Sequence, residues 1–253
     1  MSPLSIVITI VVVVLILMLL RYTFTDPYLL QGIQDGKTSS IISASSLATN
    51  GSNVPASNFA YSVWFYVNNW NYRYGEPKVI FGRMGATSGQ GSGSVEGISG
   101  LDPCPAVVLG AAENNISISL GCFPGVDQQP TTPGGTTVVH TCSVSNVPIQ
   151  KWVNLTMSVY GRTLDVYIDG KLVRTCLLPG VANINNNSNI YVTPTGGFDG
   201  WTSKLQYIPN SINPQEAWNI YSRGYSSWTN MFGAYQVQVS LVENGNTQSS
   251  ITI

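Results

Sequence analysis

Residues 152–176, WVNLTMSVYGRTLDVYIDGKLVRTC, constrain the fold more than any other stretch of the chain. Val153, Leu155, Met157 and Val159 alternate with Asn154, Thr156, Ser158 and Tyr160. Side chains of a strand point to opposite faces in turn. A period of two therefore sets one apolar row against a core and one polar row toward solvent. Leu164, Val166 and Ile168 repeat the inward row in the next run. Gly161-Arg162 and Asp169-Gly170 separate three such runs. Both pairs suit two-residue hairpin turns, because glycine takes a positive φ without steric cost. The segment predicts a three-stranded antiparallel meander and hence an all-β fold.

Other runs extend the pattern. Residues 59–67, FAYSVWFYV, place Tyr61, Val63, Phe65 and Val67 on one face and Trp64 and Tyr66 on the other. A strand apolar on both faces is covered on both or exposes an aromatic surface. Residues 78–83, 106–110, 116–122, 138–142, 190–192, 203–208 and 234–242 also read as strands. Ten or more short strands with turn signals between them predict a two-sheet antiparallel jelly-roll sandwich. One helix is expected after Asn213. That residue is a good N-cap, Pro214 suits the first turn, Glu216 completes a capping box and Gly224 ends the helix. Ala217, Ile220 and Tyr221 form its inward stripe.

Charged residues make up 9% of the 253-residue chain, against about 25% in ordinary soluble proteins. The net charge of −1 gives no electrostatic ground for nucleic-acid binding. Apolar residues at 43% rule out a disorder signature.

Leu4 to Leu20 is an uncharged run rich in Val, Ile and Leu. As a helix it would span about 26 Å, close to the hydrocarbon thickness of a bilayer. No basic residue precedes it and no small-residue cleavage site follows, so it reads as a single-pass transmembrane helix rather than a signal peptide. Arg21, the one basic flank, would leave the main domain on the cytoplasmic side. The expected organisation is an anchor at 1–22, a spacer or extended arm at 23–56 and the sandwich at 57–253.

Cys104, Cys122, Cys142 and Cys176 lie in the β region without a CxxC pair, which argues against zinc. Two disulfides in three connectivities, or four buried thiols, remain open. The strand context of Cys142 and Cys176 favours a bridge. Sequons occur at Asn50, Asn115, Asn154 and Asn186. Asn154 falls inside a strand, a poor place for a glycan.

The order of these pieces resembles a concanavalin A-like lectin/glucanase domain of the laminin-G type over residues 57–242. The aromatic strand YSVWF (61–65) comes first, then FGR (81–83) and WVNL (152–155). LDVYIDGK (164–171), FDG (198–200) and the helix ending YSRG (221–224) follow. That fold hosts lectins, glycosidases, adhesion modules and structural proteins. With its anchor and its charge-poor composition, the chain also resembles membrane-associated minor capsid proteins of large DNA viruses. The resemblance implies a virion protein at the interface of internal membrane and capsid, tying the shell to the bilayer.

Catalysis is not expected. The nearest carboxylate pair is Asp165 and Asp169, and each has a simpler role as strand or turn residue. His140, the only histidine, stands without a nucleophile motif. No metal or other cofactor is expected: domains of the resembled family often hold calcium at the sandwich rim, where Asp199 and Asn186 are the candidates, but Asp199 reads more simply as a turn former and Asn186 as part of an Asn-rich loop. Trp70, Tyr72, Arg73 and Tyr74, in a loop between strands, are the candidate binding surface. They suit a protein hot spot, or a sugar stacked on a ring beside amide and carboxylate groups. The expectation is a non-enzymatic, membrane-anchored structural protein whose partners are lipid and neighbouring capsid or membrane proteins. A lectin-like surface or adhesion protein that binds carbohydrate is the alternative.

Overall fold

The computed structural model describes residues 12–13, 15, 26–47, 58–84, 94–95, 98–99, 102–131, 133–226, 238–243 and 246–252. The chain divides into two compact units, 28–227 and 1–27 together with 228–253.

The strands of the larger unit, in chain order, are β1 (Leu29–Gln31), β2 (Gln34–Asp35), β3 (Ser40–Ile42), β4 (Phe59–Asn69) and β5 (Lys78–Met84). A two-residue ladder of β6 (Ser94–Val95) and β7 (Ile98–Ser99) follows, then β8 (Pro103–Leu109), β9 (Ile116–Cys122) and β10 (Val138–Val144). The meander is β11 (Trp152–Tyr160), β12 (Thr163–Ile168) and β13 (Lys171–Leu177). Last come β14 (Ile190–Val192), β15 (Asp199–Ile208) and one helix, α1 (Pro214–Ser222). In the smaller unit β16 (Gln238–Glu243) pairs antiparallel with β17 (Asn246–Thr252).

Two antiparallel sheets form the larger unit. One runs β1-β15-β4-β11-β12-β13, with β2 also on β15; the other runs β10-β9-β8-β5-β14-β3. The alternation explains the layering. Val153, Leu155, Met157 and Val159 join Tyr61, Val63 and Phe65 in a core that also holds Leu109, Ile118 and Leu120 of the facing sheet. At about 25 cal/mol per Å² of apolar area removed from water, such a core is the main stabilising term. The turn at Asp169-Gly170 has both residues at positive φ, 50° and 72°, as an Asp-Gly hairpin requires.

Several expectations are corrected. The polar row of β11 does not face water: Asn154, Thr156 and Ser158 are buried. The segment that follows β15 covers this row. Ser158 Oγ donates to the Ile212 carbonyl (3.2 Å) and accepts from its N–H (2.9 Å). Asn154 Nδ2 and Thr156 Oγ1 both donate to Ser62 Oγ at 3.0 Å. Burial is tolerated because each group finds a partner. Asn154 is therefore closed to glycosylation. The stretch read as a spacer contributes β1, β2 and β3. The last alternating run pairs in its own hairpin.

Helix α1 forms as expected. Asn213 Oδ1 accepts from the Glu216 N–H (2.9 Å), and the Asn213 N–H donates to Glu216 Oε2 (2.7 Å). Ala217 buries against Ala60, Tyr167 and Ile212, with Ile220 beside them. Gly170 makes this docking possible, because a Cβ there would meet Trp218 Cα at 3.1 Å and Tyr221 Cβ at 3.0 Å.

Cys142 and Cys176 form a disulfide, with Cα atoms 6.1 Å apart. It joins β10 to β13, the border strands of the two sheets on the same side. Cys104 and Cys122 are free and buried. The run Leu4 to Leu20 lies outside the described residues, apart from Val12, Val13 and Leu15, which are helical and exposed. Among the described residues no helix is long and apolar enough to cross a membrane.

Candidate binding surface

The outer face of the β1–β13 sheet carries a continuous chain of aromatic rings. Strand register builds its first row: Trp201 lies opposite Tyr66, and Tyr66 lies opposite Trp152. The ring centroids are 5.6 and 5.8 Å apart, each pair tilted by 57°. Tyr225 then stacks on Trp152 at 4.4 Å and meets Trp64 edge-on at 6.1 Å. Tyr221 of α1 stacks on Trp64 at 5.6 Å, and Trp218 follows at 5.4 Å. Pairs at these distances attract by about 0.5–1.5 kcal/mol beyond area burial.

The ridge is fixed from below. Ser203 Oγ donates to the Tyr225 carbonyl at 2.7 Å. Lys204 Nζ donates to the Gly224 carbonyl at 2.7 Å and to the Arg223 carbonyl at 3.2 Å. Gly200 lets β15 approach β4, since a Cβ there would collide with the Tyr66 carbonyl oxygen. Three rings stay open to solvent: Trp201 at 42%, Tyr225 at 40% and Trp218 at 45%. Beside the ridge, Lys37 pairs with Asp199 at 2.6 Å, so this rim presents a neutralised charge.

The expected surface in the 70–74 loop is divided. Tyr72 Oη donates to the Gly196 carbonyl (3.2 Å) and Arg73 Nη1 to the Gly197 carbonyl (3.4 Å). Arg73 also pairs with Glu76 at 2.8 Å. Tyr74 is exposed. Trp70 turns inward, packs against the core and carries the Lys78 ammonium 4.9 Å from its ring centre. Burial pulls the Lys78 pKa below its usual value.

The calcium candidates are placed differently from each other. The hydrogen-bonded Lys37 ammonium holds the Asp199 carboxyl below the usual carboxylate range, and Asn68 Nδ2 donates to its other oxygen at 3.2 Å. Asn186 is exposed in a turn. Among the described residues no three His, Cys, Asp or Glu side chains gather as a metal site. Asp169 accepts from the Asn154 N–H (2.9 Å) and pairs with Lys151 (3.0 Å), and Asp165 accepts from Thr175 Oγ1 (2.5 Å). His140 is half-buried on β10.

Trp152, Trp201, Trp218 and Tyr225 were not singled out as a surface in the sequence. The available signal was the second apolar face of β4, Trp64 and Tyr66, which demanded either cover or an aromatic surface.

No protein-family model matches the chain, and no curated protein matches it. Solved structures do. The receptor binding domain of botulinum neurotoxin C/D mosaic serotype aligns with a TM-score of 0.52 at 11% identity, covering 76% of this chain and 43% of that one. The binding domain of botulinum neurotoxin DC, in complex with rat synaptotagmin II, aligns with a TM-score of 0.51 at 14% identity, covering 76% and 42%. The chain thus spans about two-fifths of the length of these domains. At such identities the likeness shows a shared β-sandwich fold.

Proposed function

We propose that this chain is a non-enzymatic binding protein that docks onto a protein partner through the Trp201–Tyr66–Trp152–Tyr225 ridge. The ridge itself carries the reading. Aromatic side chains are rigid, amphipathic and enriched at binding hot spots. Here they are braced by one another, and Trp201 and Tyr225 stay open to solvent, as does Trp218 of α1 at the end of the ring chain. The neutralised Lys37–Asp199 pair at the rim suits a partner surface that is apolar and poor in charge. One of the similar solved domains is itself bound to a protein, rat synaptotagmin II. The absence of catalysis is part of the proposal. It is supported by the engagement of Asp165 and Asp169 in hydrogen bonds and an ion pair within the sheet.

A photoreactive side chain placed at position 201 tests the reading in the membrane fraction of the native source. The expected result is one discrete protein adduct that is absent when the probe stands at position 74. Glycan-array binding lost in Trp201→Ala, without any adduct, would replace a protein partner with a carbohydrate.

The finer reading, a minor capsid protein linking shell to membrane, rests on Leu4 to Leu20 and composition. A shell protein lying against a bilayer fits the partner described above. The Cys142–Cys176 bridge supports maturation in an oxidising setting, opposite to the side that Arg21 suggests.

A further inference from the structure

The fold separates the four Asn-X-Ser/Thr sequons of the chain. Asn154 is buried, and its Nδ2 atom is committed to Ser62 Oγ. Asn115 is half-buried, with its amide oxygen covered from solvent against the Gly110 backbone. Asn50 lies outside the described residues. Asn186 differs from the other two described sequons. It is exposed in a turn between β13 and β14, and its side chain has no hydrogen-bond partner among the described residues.

The turn holds its shape without that amide. Asn185 Oδ1 accepts from the Asn187 N–H (2.9 Å), and the Asn185 carbonyl accepts from the Ser188 N–H (3.2 Å). Asn189 Oδ1 accepts from the Ala44 N–H (3.0 Å), and the Ser188 carbonyl accepts from Arg83 Nε (3.0 Å). Asn185 and Asn189 are therefore structural, whereas Asn186 supports nothing around it. A side chain of that kind can carry a bulky hydrophilic group without unfolding its surroundings.

Two independent observations point the same way. The Cys142–Cys176 bridge suits a lumenal, oxidising compartment, the side of the membrane on which Asn-linked transfer takes place. With charged residues at only 9%, the surface has little charge to keep copies apart, and a hydrophilic glycan supplies that separation.

We propose that Asn186 carries an N-linked glycan. The donor is an oligosaccharide held on a polyprenyl diphosphate. The Asn186 amide nitrogen bonds to its C1, the C1–O bond breaks, the lipid diphosphate leaves with that electron pair, and the amide gives up one proton. Ser188 completes the acceptor motif. The turn lies on the sheet without the aromatic ridge: Ala182 bridges to Cys122 of β9, and Ile190 opens β14 beside β5. A glycan here leaves the ridge uncovered, and the proposal does not depend on the ridge's role.

The test makes the full chain by translation in the presence of endoplasmic-reticulum microsomes. Glycans are then removed by an amidase in ¹⁸O water, which tags each former attachment site for peptide mass spectrometry. The expected result is a mobility shift abolished by the amidase, with the tag at position 186 and none at 115 or 154. Asn186→Gln and Ser188→Ala should each lose one glycan, and Ser188→Thr should keep it. Asn115→Gln should retain the shift. A chain that stays unmodified overturns the proposal, whichever side of the membrane it occupies. So does a shift that survives undiminished in Asn186→Gln.

Discussion

Tyr225 lies flat on Trp152, with ring centroids 4.4 Å apart and planes 10° from parallel. Trp152 belongs to the meander, whereas Tyr225 follows α1, so this stack clamps the covering segment onto the sheet. A double-mutant cycle with Trp152→Ala and Tyr225→Ala should return a coupling of about 1 kcal/mol in urea denaturation. Additive single effects would show that the stack is incidental.

Gly200 sets the register that brings Trp201 over Tyr66. Gly200→Ala forces a Cβ into the Tyr66 carbonyl, which the backbone relieves only by separating β15 from β4. The expected cost is about 3 kcal/mol by denaturation, from overpacking and local strain together. Trp201 fluorescence should change with it. A variant as stable as the wild type would mean that the sheet accommodates the methyl group without parting.

The disulfide spans a sequence separation of 34 residues. Closing a loop of that size is worth about 3–4 kcal/mol through the unfolded chain. Urea melts with and without reductant should differ by that order. Burial pushes the Cys104 thiol up to about 12 and raises that of Cys122. Neither should react with a thiol reagent until the chain unfolds. Fast labelling in native buffer would contradict their burial.

Asp102 pins residues 136 and 137 to the start of β8. Its carboxylate accepts from the Thr136 N–H (3.0 Å), Thr136 Oγ1 (2.8 Å), the Thr137 N–H (3.1 Å) and Thr137 Oγ1 (2.6 Å). Partial burial raises its pKa, but bonds from Thr137 and Thr136 outweigh this and hold it below 3.8. A depressed folded-state pKa means that the unfolded chain binds the proton first. The contribution is complete above 3.8 and is lost as pH falls through the folded value. Denaturation midpoints should drop across that window, and Asp102→Asn should flatten the drop.

If Leu4 to Leu20 anchors the chain, detergent should release it from membranes while high salt and alkaline carbonate leave it bound. Release by carbonate alone would dispose of the anchor and of the capsid-linker reading that rests on it.

Local signals made some elements legible and left others hidden. Strands 116–122 and 190–192 and the capped helix at 214–222 carry period, β-branched residues or capping chemistry within a few positions. β1 to β3 are two or three residues long, too short for any period to show, and only pairing with distant β14 and β15 defines them. The burial of Asn154, Thr156 and Ser158 depends on cover from residues more than fifty positions later. The ridge was half visible in Trp64 and Tyr66, yet Trp152, Trp201 and Tyr225 join them only through register. Trp70 was visible as an aromatic loop residue, but its inward turn against the core is a property of the packed fold.

The bond between Cys142 and Cys176 has an effect beyond stability. It ties the last strand of one sheet to the last strand of the other, so neither border strand can peel away from the sandwich and offer itself to another molecule while the bond holds. At the opposite margin the outermost strands, β1 and β3, carry no such tie among the described residues, so strand exchange is easier to start there.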